Sequence, residues 1–167
     1  MGVVVSSVDR TALIERYQQG YQAVVDGVRG LSEAELDARP APGEWTPREI
    51  VHHLADSEMT SAIRLRRLLV EDEPVIQAYD EQAFARRLGY AERPIEAALE
   101  ALAAARRTTA EILARMTDAD WQRSGTHTES GRYSAEDWLQ IYSAHTHDHA
   151  AQINQCLRLA RQGKPAA

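Results

Sequence analysis

The sequence predicts an all-α fold, a bundle of four long helices in a single domain over residues 1–167. Three observations predict it. Ala, Leu, Glu, Arg and Gln dominate, while Phe occurs once and β-branched residues are sparse, a helix-forming and strand-poor choice. Apolar residues recur at steps of three and four in four separate stretches. Between those stretches lie Gly, Pro and N-cap residues, the chemistry that starts and stops helices.

The first helix runs from about Ser7 to Val28, with Leu13, Tyr17, Tyr21, Val24 and Val28 on one stripe. Gly30 and the cluster Pro40-Ala41-Pro42-Gly43 close it, with a short helical turn at Glu33 to Ala38 between them. Thr46-Pro47-Arg48-Glu49 then gives a Thr N-cap, Pro at the first helical position and Glu at the third, a capping box. The second helix extends from there to about Val70 on the stripe Ile50, Leu54, Ser57, Ser61, Leu65 and Leu68. Glu71 to Glu92 is a connection with a short helix at Glu81 to Arg87; a connection this long is often functional. The Ala-rich third helix runs from near Pro94 to about Met116, with Ile95, Leu99, Leu102, Ile112 and Leu113. Thr117 to Tyr133 is a polar, Gly-containing loop, and Ser134 caps a fourth helix reaching about Ala160. Four helices joined in this way read as a four-helix bundle.

A formal charge of −6 argues against a general affinity for nucleic acid or anionic membranes. No apolar run approaches the ~18 residues that span a bilayer. Met1 to Ser7 carries no positive charge ahead of Val3-Val4-Val5, which is not the pattern of a signal peptide. The one cysteine, Cys156, excludes an intrachain disulfide, and the expected location is the cytoplasm.

The six histidines carry the functional reading. His145 and His149 stand four apart on the fourth helix, so both project from one face, the spacing that presents two imidazoles to one metal ion. Trp138, Ile141, Gln152 and Cys156 share that face at steps of three or four and mark it as the buried one. The competing reading of such a pair is two core histidines satisfied by hydrogen bonds. His147 points away by about 200° and is expected to face solvent, while His127 falls in a loop. A third ligand has to come from another helix. His53 sits roughly 70° from the centre of the inward stripe of the second helix and His52 about 170°, so His53 reaches the interior.

Three neutral imidazoles, His53, His145 and His149, would hold one divalent ion and leave coordination positions open. Zn²⁺ or Ni²⁺ is expected first, with Fe²⁺ and Mn²⁺ as further candidates. Asp56, Ser57 and Gln152 are candidate hydrogen-bond partners for the ligand rings. Asp56 can equally be a surface charge paired with a neighbouring Arg. Glu58 is expected to be solvated and Cys156 to be a buried small hydrophobe. Arg64, aligned with Ser57, is a candidate to bind an anionic group or else a solvated charge.

Three segments in order resemble the DinB-like superfamily, more closely its YfiT-like branch. They are Gly43 to Glu58 at the start of the second helix, Pro74 to Phe84 in the connection, and Ser124 to His127 with Tyr142 to Ile153 around the fourth helix. The resemblance implies a four-helix bundle, often a homodimer, with one metal held by a histidine of the second helix and two of the fourth. Carried over, those are His53, His145 and His149. Proteins of this branch are called metal-dependent hydrolases, and the wider superfamily includes S-transferases that use a low-molecular-weight thiol, bacillithiol or mycothiol. Where some relatives carry a further histidine, this chain has Glu58 and Gln152. The expectation is an enzyme whose metal activates a small thiol or a water against a small-molecule substrate. Its rival is a non-enzymatic, stress-related, metal-binding dimeric bundle.

Overall fold

The computed structural model describes residues 7–162, with side chains from Arg10 onward; the Val3–Val5 stretch weighed above as a signal peptide lies outside them. The four long helices are α1 (Ser7–Val28), α3 (Pro47–Val70), α5 (Glu96–Leu113) and α7 (Ala135–Gln162). Shorter helices are α2 (Glu33–Leu36), α4 (Glu81–Arg87) and α6 (Asp118–Trp121), with a 3₁₀ turn at Tyr90–Glu92. Helices α1 and α3 each pack against both α5 and α7, closing the bundle. The α3 capping box forms as its sequence requires, with the Thr46 hydroxyl accepting from Glu49 N–H and the Glu49 carboxylate accepting from Thr46 N–H. The third helix is shorter than its periodicity suggests, and no side chain caps its start at Ile95.

The all-α expectation needs correction. The segment read as a polar loop contains α6 and a hairpin of β2 (Ser124–His127) and β3 (Gly131–Ser134). Strand β1 (Val75–Ile76) adds in parallel to β2, giving the order β1-β2-β3. Gly125 is required here, because a Cβ at that position would be driven into the carbonyl of Pro74, the residue just before β1. The small sheet pins the Glu71–Glu92 connection to the bundle beside the N-terminal end of α7.

Two apolar clusters fill the core. One gathers Val24, Ile50, Leu54, Leu102 and Ile153; the other gathers Tyr17, Leu65, Leu68, Leu113, Trp138 and Leu139. Between them in sequence on α3, α5 and α7 lie Glu58, Arg106 and Thr146, all buried. Contrary to the solvated position its charge suggests, Glu58 is 1% exposed, and Arg106, which donates to it at 2.6 Å, is 3% exposed. Tyr17 donates to the other Glu58 oxygen at 2.5 Å. Glu58 follows Leu54 by four residues and precedes Ser61 by three, so it shares the inward stripe. The cation on α5 makes that position tolerable.

Candidate metal centre

Among the described residues, His53, His145 and His149 form one group whose ligand atoms all lie within 4.8 Å of one another. His53 comes from the second turn of α3; His145 and His149 come from successive turns of α7. The ring centroids are separated by 4.7 to 5.3 Å, and each pair meets edge to face. His53 Nε2 lies 3.4 Å from His145 Nε2. His53 Nδ1 is sealed from solvent with no hydrogen-bond partner.

The buried face of α7 is centred on Leu139, Tyr142, Thr146 and Ile153 rather than on the histidines. His145, His149 and Gln152 therefore stand at its edge, half-buried, and Ile141, read as inward, is 48% exposed. At that edge His145 and His149 keep partial exposure, while His53 on α3 is buried.

Each ring is held by particular neighbours. His149 Nδ1 lies 2.7 Å from Gln152 Oε1, a bond in which the imidazole N–H donates and Nε2 keeps its lone pair. Trp45, just before the α3 N-cap, covers His53 with ring centroids 4.5 Å apart and stands 6.4 Å from His149. Tyr142 meets His145 edge-on at 5.6 Å. Burial pushes the His53 imidazole down to about 3, helped by the nearby His149 and His145. Burial likewise takes His145 to about 3, with His149 and then the Arg106 charge adding to it. His149 is lowered by burial, against the bond it donates to Gln152, which raises it. All three rings are neutral at pH 7, the state that coordinates a cation.

The other candidates fall elsewhere. Asp56 accepts a hydrogen bond from the Tyr90 hydroxyl, so its partner is neither a ligand histidine nor an arginine. Ser57 is buried beside Tyr79 and Tyr142 and reaches no histidine. His52 is 2% exposed, although it lies opposite the stripe, because the 3₁₀ segment covers it; its Nε2 lies 3.1 Å from the Arg93 carbonyl and its ring stacks on Tyr90. His147 is half-buried, with Nε2 2.9 Å from the Arg16 carbonyl of α1. His127 Nδ1 accepts from the backbone of its own hairpin turn. Cys156 is buried, with Sγ 3.6 Å from the Trp45 carbonyl.

The structure adds Trp45, Tyr142 and Arg106 to the surroundings of the site. Trp45 had a signal in its place before the N-cap, from which a large apolar side chain folds back over the first turns of the helix.

The donor set fits a borderline divalent ion: three neutral nitrogens, two of them in unusually close approach, and an orphaned buried ring nitrogen on the innermost histidine. The family model of the DinB superfamily matches residues 16–153. The chain belongs to the DinB superfamily. It is 37% identical over 123 residues to OB0782 of Oceanobacillus iheyensis, covering 74% of this chain and 71% of the relative. It is 32% identical over 132 residues to YfiT of Bacillus subtilis, covering 78% and 74%. Both relatives carry the name "Putative metal-dependent hydrolase". A solved structure of Bacillus subtilis YfiT, described as a "probable metal-dependent hydrolase with an unusual four-helix bundle topology", superposes with a TM-score of 0.90. That match, at 28% identity, covers 99% of this chain and 94% of the other. Among the described residues of this DinB protein, no helix is long and apolar enough to cross a membrane.

Proposed function

We propose that this protein is a metal-dependent enzyme in which His53, His145 and His149 hold one divalent cation, Zn²⁺ or Ni²⁺, against a small-molecule substrate. One observation carries the reading: three neutral imidazoles converge from two helices at the edge of the core, with no fourth His, Cys or carboxylate in the group among the described residues. Three protein donors with room for a further ligand is the donor count of catalytic rather than structural sites. When bound, the ion would lower the pKa of a water or thiol and stabilise the nucleophile so formed.

The chain's own groups do the rest. Gln152 holds the His149 ring in one tautomer and orientation. Trp45 and Tyr142 fix the His53 and His145 rings by packing. Burial keeps the rings unprotonated. No thiol of the chain reaches the site, since Cys156 is buried two turns beyond His149. A thiol reaction would therefore use a small diffusible cosubstrate. The names of the relatives favour water as the nucleophile.

The test is turnover by zinc- or nickel-loaded protein of an ester and amide panel without thiol, and of electrophiles with a small thiol added. Product from water alone supports hydrolysis; loss of thiol and electrophile in step supports transfer. Either activity should vanish in His149→Ala. Stoichiometric metal with neither activity would favour the non-enzymatic metal-binding bundle.

A further inference from the structure

Arg64 lies on α3 two turns beyond Ser57, facing α7 and the connection. Its Nη2 donates to the Gln77 carbonyl at 2.7 Å, and its Nη1 lies 3.4 Å from the Tyr142 hydroxyl. The guanidinium sits over the Tyr79 ring, 5.8 Å from the centroid. Its Nε is sealed from solvent and has no acceptor.

What the guanidinium lacks is an anion. Arg10, Arg48, Arg67, Arg106 and Arg123 each form ion pairs, whereas Arg64 forms none among the described residues. Glu81 feels its charge but makes no ion pair with it. Its direct partners are neutral dipoles: the Gln77 carbonyl, the Tyr142 hydroxyl and the Tyr79 ring. A half-buried cation among neutral groups is costly unless a counter-ion arrives, and a planar guanidinium with unused N–H groups matches a carboxylate. The same Tyr142 that meets Arg64 at its hydroxyl meets His145 at its ring. One tyrosine side chain therefore spans the distance between the guanidinium and the histidine group.

We propose that Arg64, with Tyr142 and Tyr79, is an anion-recognition point beside the three-histidine group and takes a carboxylate of a small substrate whose reacting atom lies at that group. The placement of the reacting atom rests on the proposed function; the carboxylate site does not. The competing role is purely structural, with Arg64 bracing the connection through Gln77.

The experiment uses metal-free protein and follows the Arg64 Nε–Hε resonance by nitrogen-15 NMR, assigned by its absence in Arg64→Met, during titration with glutarate and with its neutral analogue glutaramide. The expected result is a saturable shift with glutarate at an affinity about 10- to 100-fold above that for glutaramide. Raised salt should weaken the glutarate response. Arg64→Lys should keep part of the discrimination, and it replaces Arg64→Met if that variant does not fold. A brace alone would make no distinction between the two ligands, so equal responses to the two, or no saturable shift with glutarate, would overturn the proposal. In a second arm, cobalt-loaded protein is titrated with mercaptosuccinate and with 2-mercaptoethanol, read by the thiolate-to-cobalt absorption. The preference for mercaptosuccinate should fall to about one in Arg64→Met. If neither thiol gives the absorption, the thiol form of the proposed function fails, and the glutarate titration still decides Arg64.

Discussion

The buried ion pair at the middle of the bundle gives the sharpest stability test. Replacing Arg106 with Met keeps most of the side-chain length and removes the cation bonded to Glu58, which is 1% exposed. It also removes the donor to the Tyr17 carbonyl and the charge resting 3.8 Å from the Tyr17 ring centroid. Leaving one partner of a buried pair uncompensated costs about 3–5 kcal/mol. For a chain of this size that corresponds to a fall in Tm of roughly 6–20 °C.

Proton uptake sets the pH dependence of that loss. Burial already raises the Glu58 carboxyl, with Arg106 opposing it, so without Arg106 the folded variant takes up a proton more readily than the unfolded chain. A folded pKa above the unfolded one contributes stability at low pH that is lost as pH rises. The deficit of Arg106→Met should therefore be smaller at pH 5 than at pH 8. Glu58→Leu combined with Arg106→Met removes both charges and should recover much of the loss. Guanidinium unfolding at the two pH values is the assay. A deficit below ~1 kcal/mol at pH 8, or a double variant as unstable as the two single losses summed, would refute the reasoning.

Other consequences can be measured alongside. The depressed His53 and His145 favour the neutral ring in the folded state, so metal-free stability should fall as pH drops from the unfolded value of 6.5 towards about 3, by up to ~1.4 kcal/mol per pH unit for each ring. A stability curve flat from pH 4 to 6.5 would contradict this. Gln152→Ala deletes the acceptor for His149 Nδ1 and should weaken zinc affinity about 10- to 100-fold in a chelator competition. Gly20→Ala drives a methyl group into Thr146 Oγ1 and the Arg106 guanidinium, and should cost about 1–3 kcal/mol in urea unfolding.

The parts of the fold legible in the sequence were those encoded by local spacing. The Ile50-to-Leu68 stripe on α3 and the Thr46/Glu49 box needed nothing beyond helical period and cap chemistry, and both lie where that reading puts them. The hairpin was not legible. Its strands are polar and four residues long, and one pairs with Val75–Ile76, far away in sequence, so neither alternation nor length marks it. The meeting of His53 with His145 and His149 followed from angles on two helices.

Neighbours supplied by other elements did not follow. His52 is buried by a segment some forty residues downstream, and Glu58 by an arginine on α5. Glu58 was nonetheless in register with Leu54 and Ser61, a spacing that marks it as inward. On α7, Trp138 and Cys156 alone suggest a face that includes Ile141, while Tyr142, Thr146 and Ile153 shift its centre and leave Ile141 outside.

The central claim is that His53, His145 and His149 together hold a metal. Elemental analysis of untagged protein, beside a His53→Ala variant of unchanged helicity, tests it most directly. The account predicts about one divalent ion per chain in the wild type, lost in the variant. A wild type that remains metal-free after reconstitution with Zn²⁺ and Ni²⁺ would contradict it.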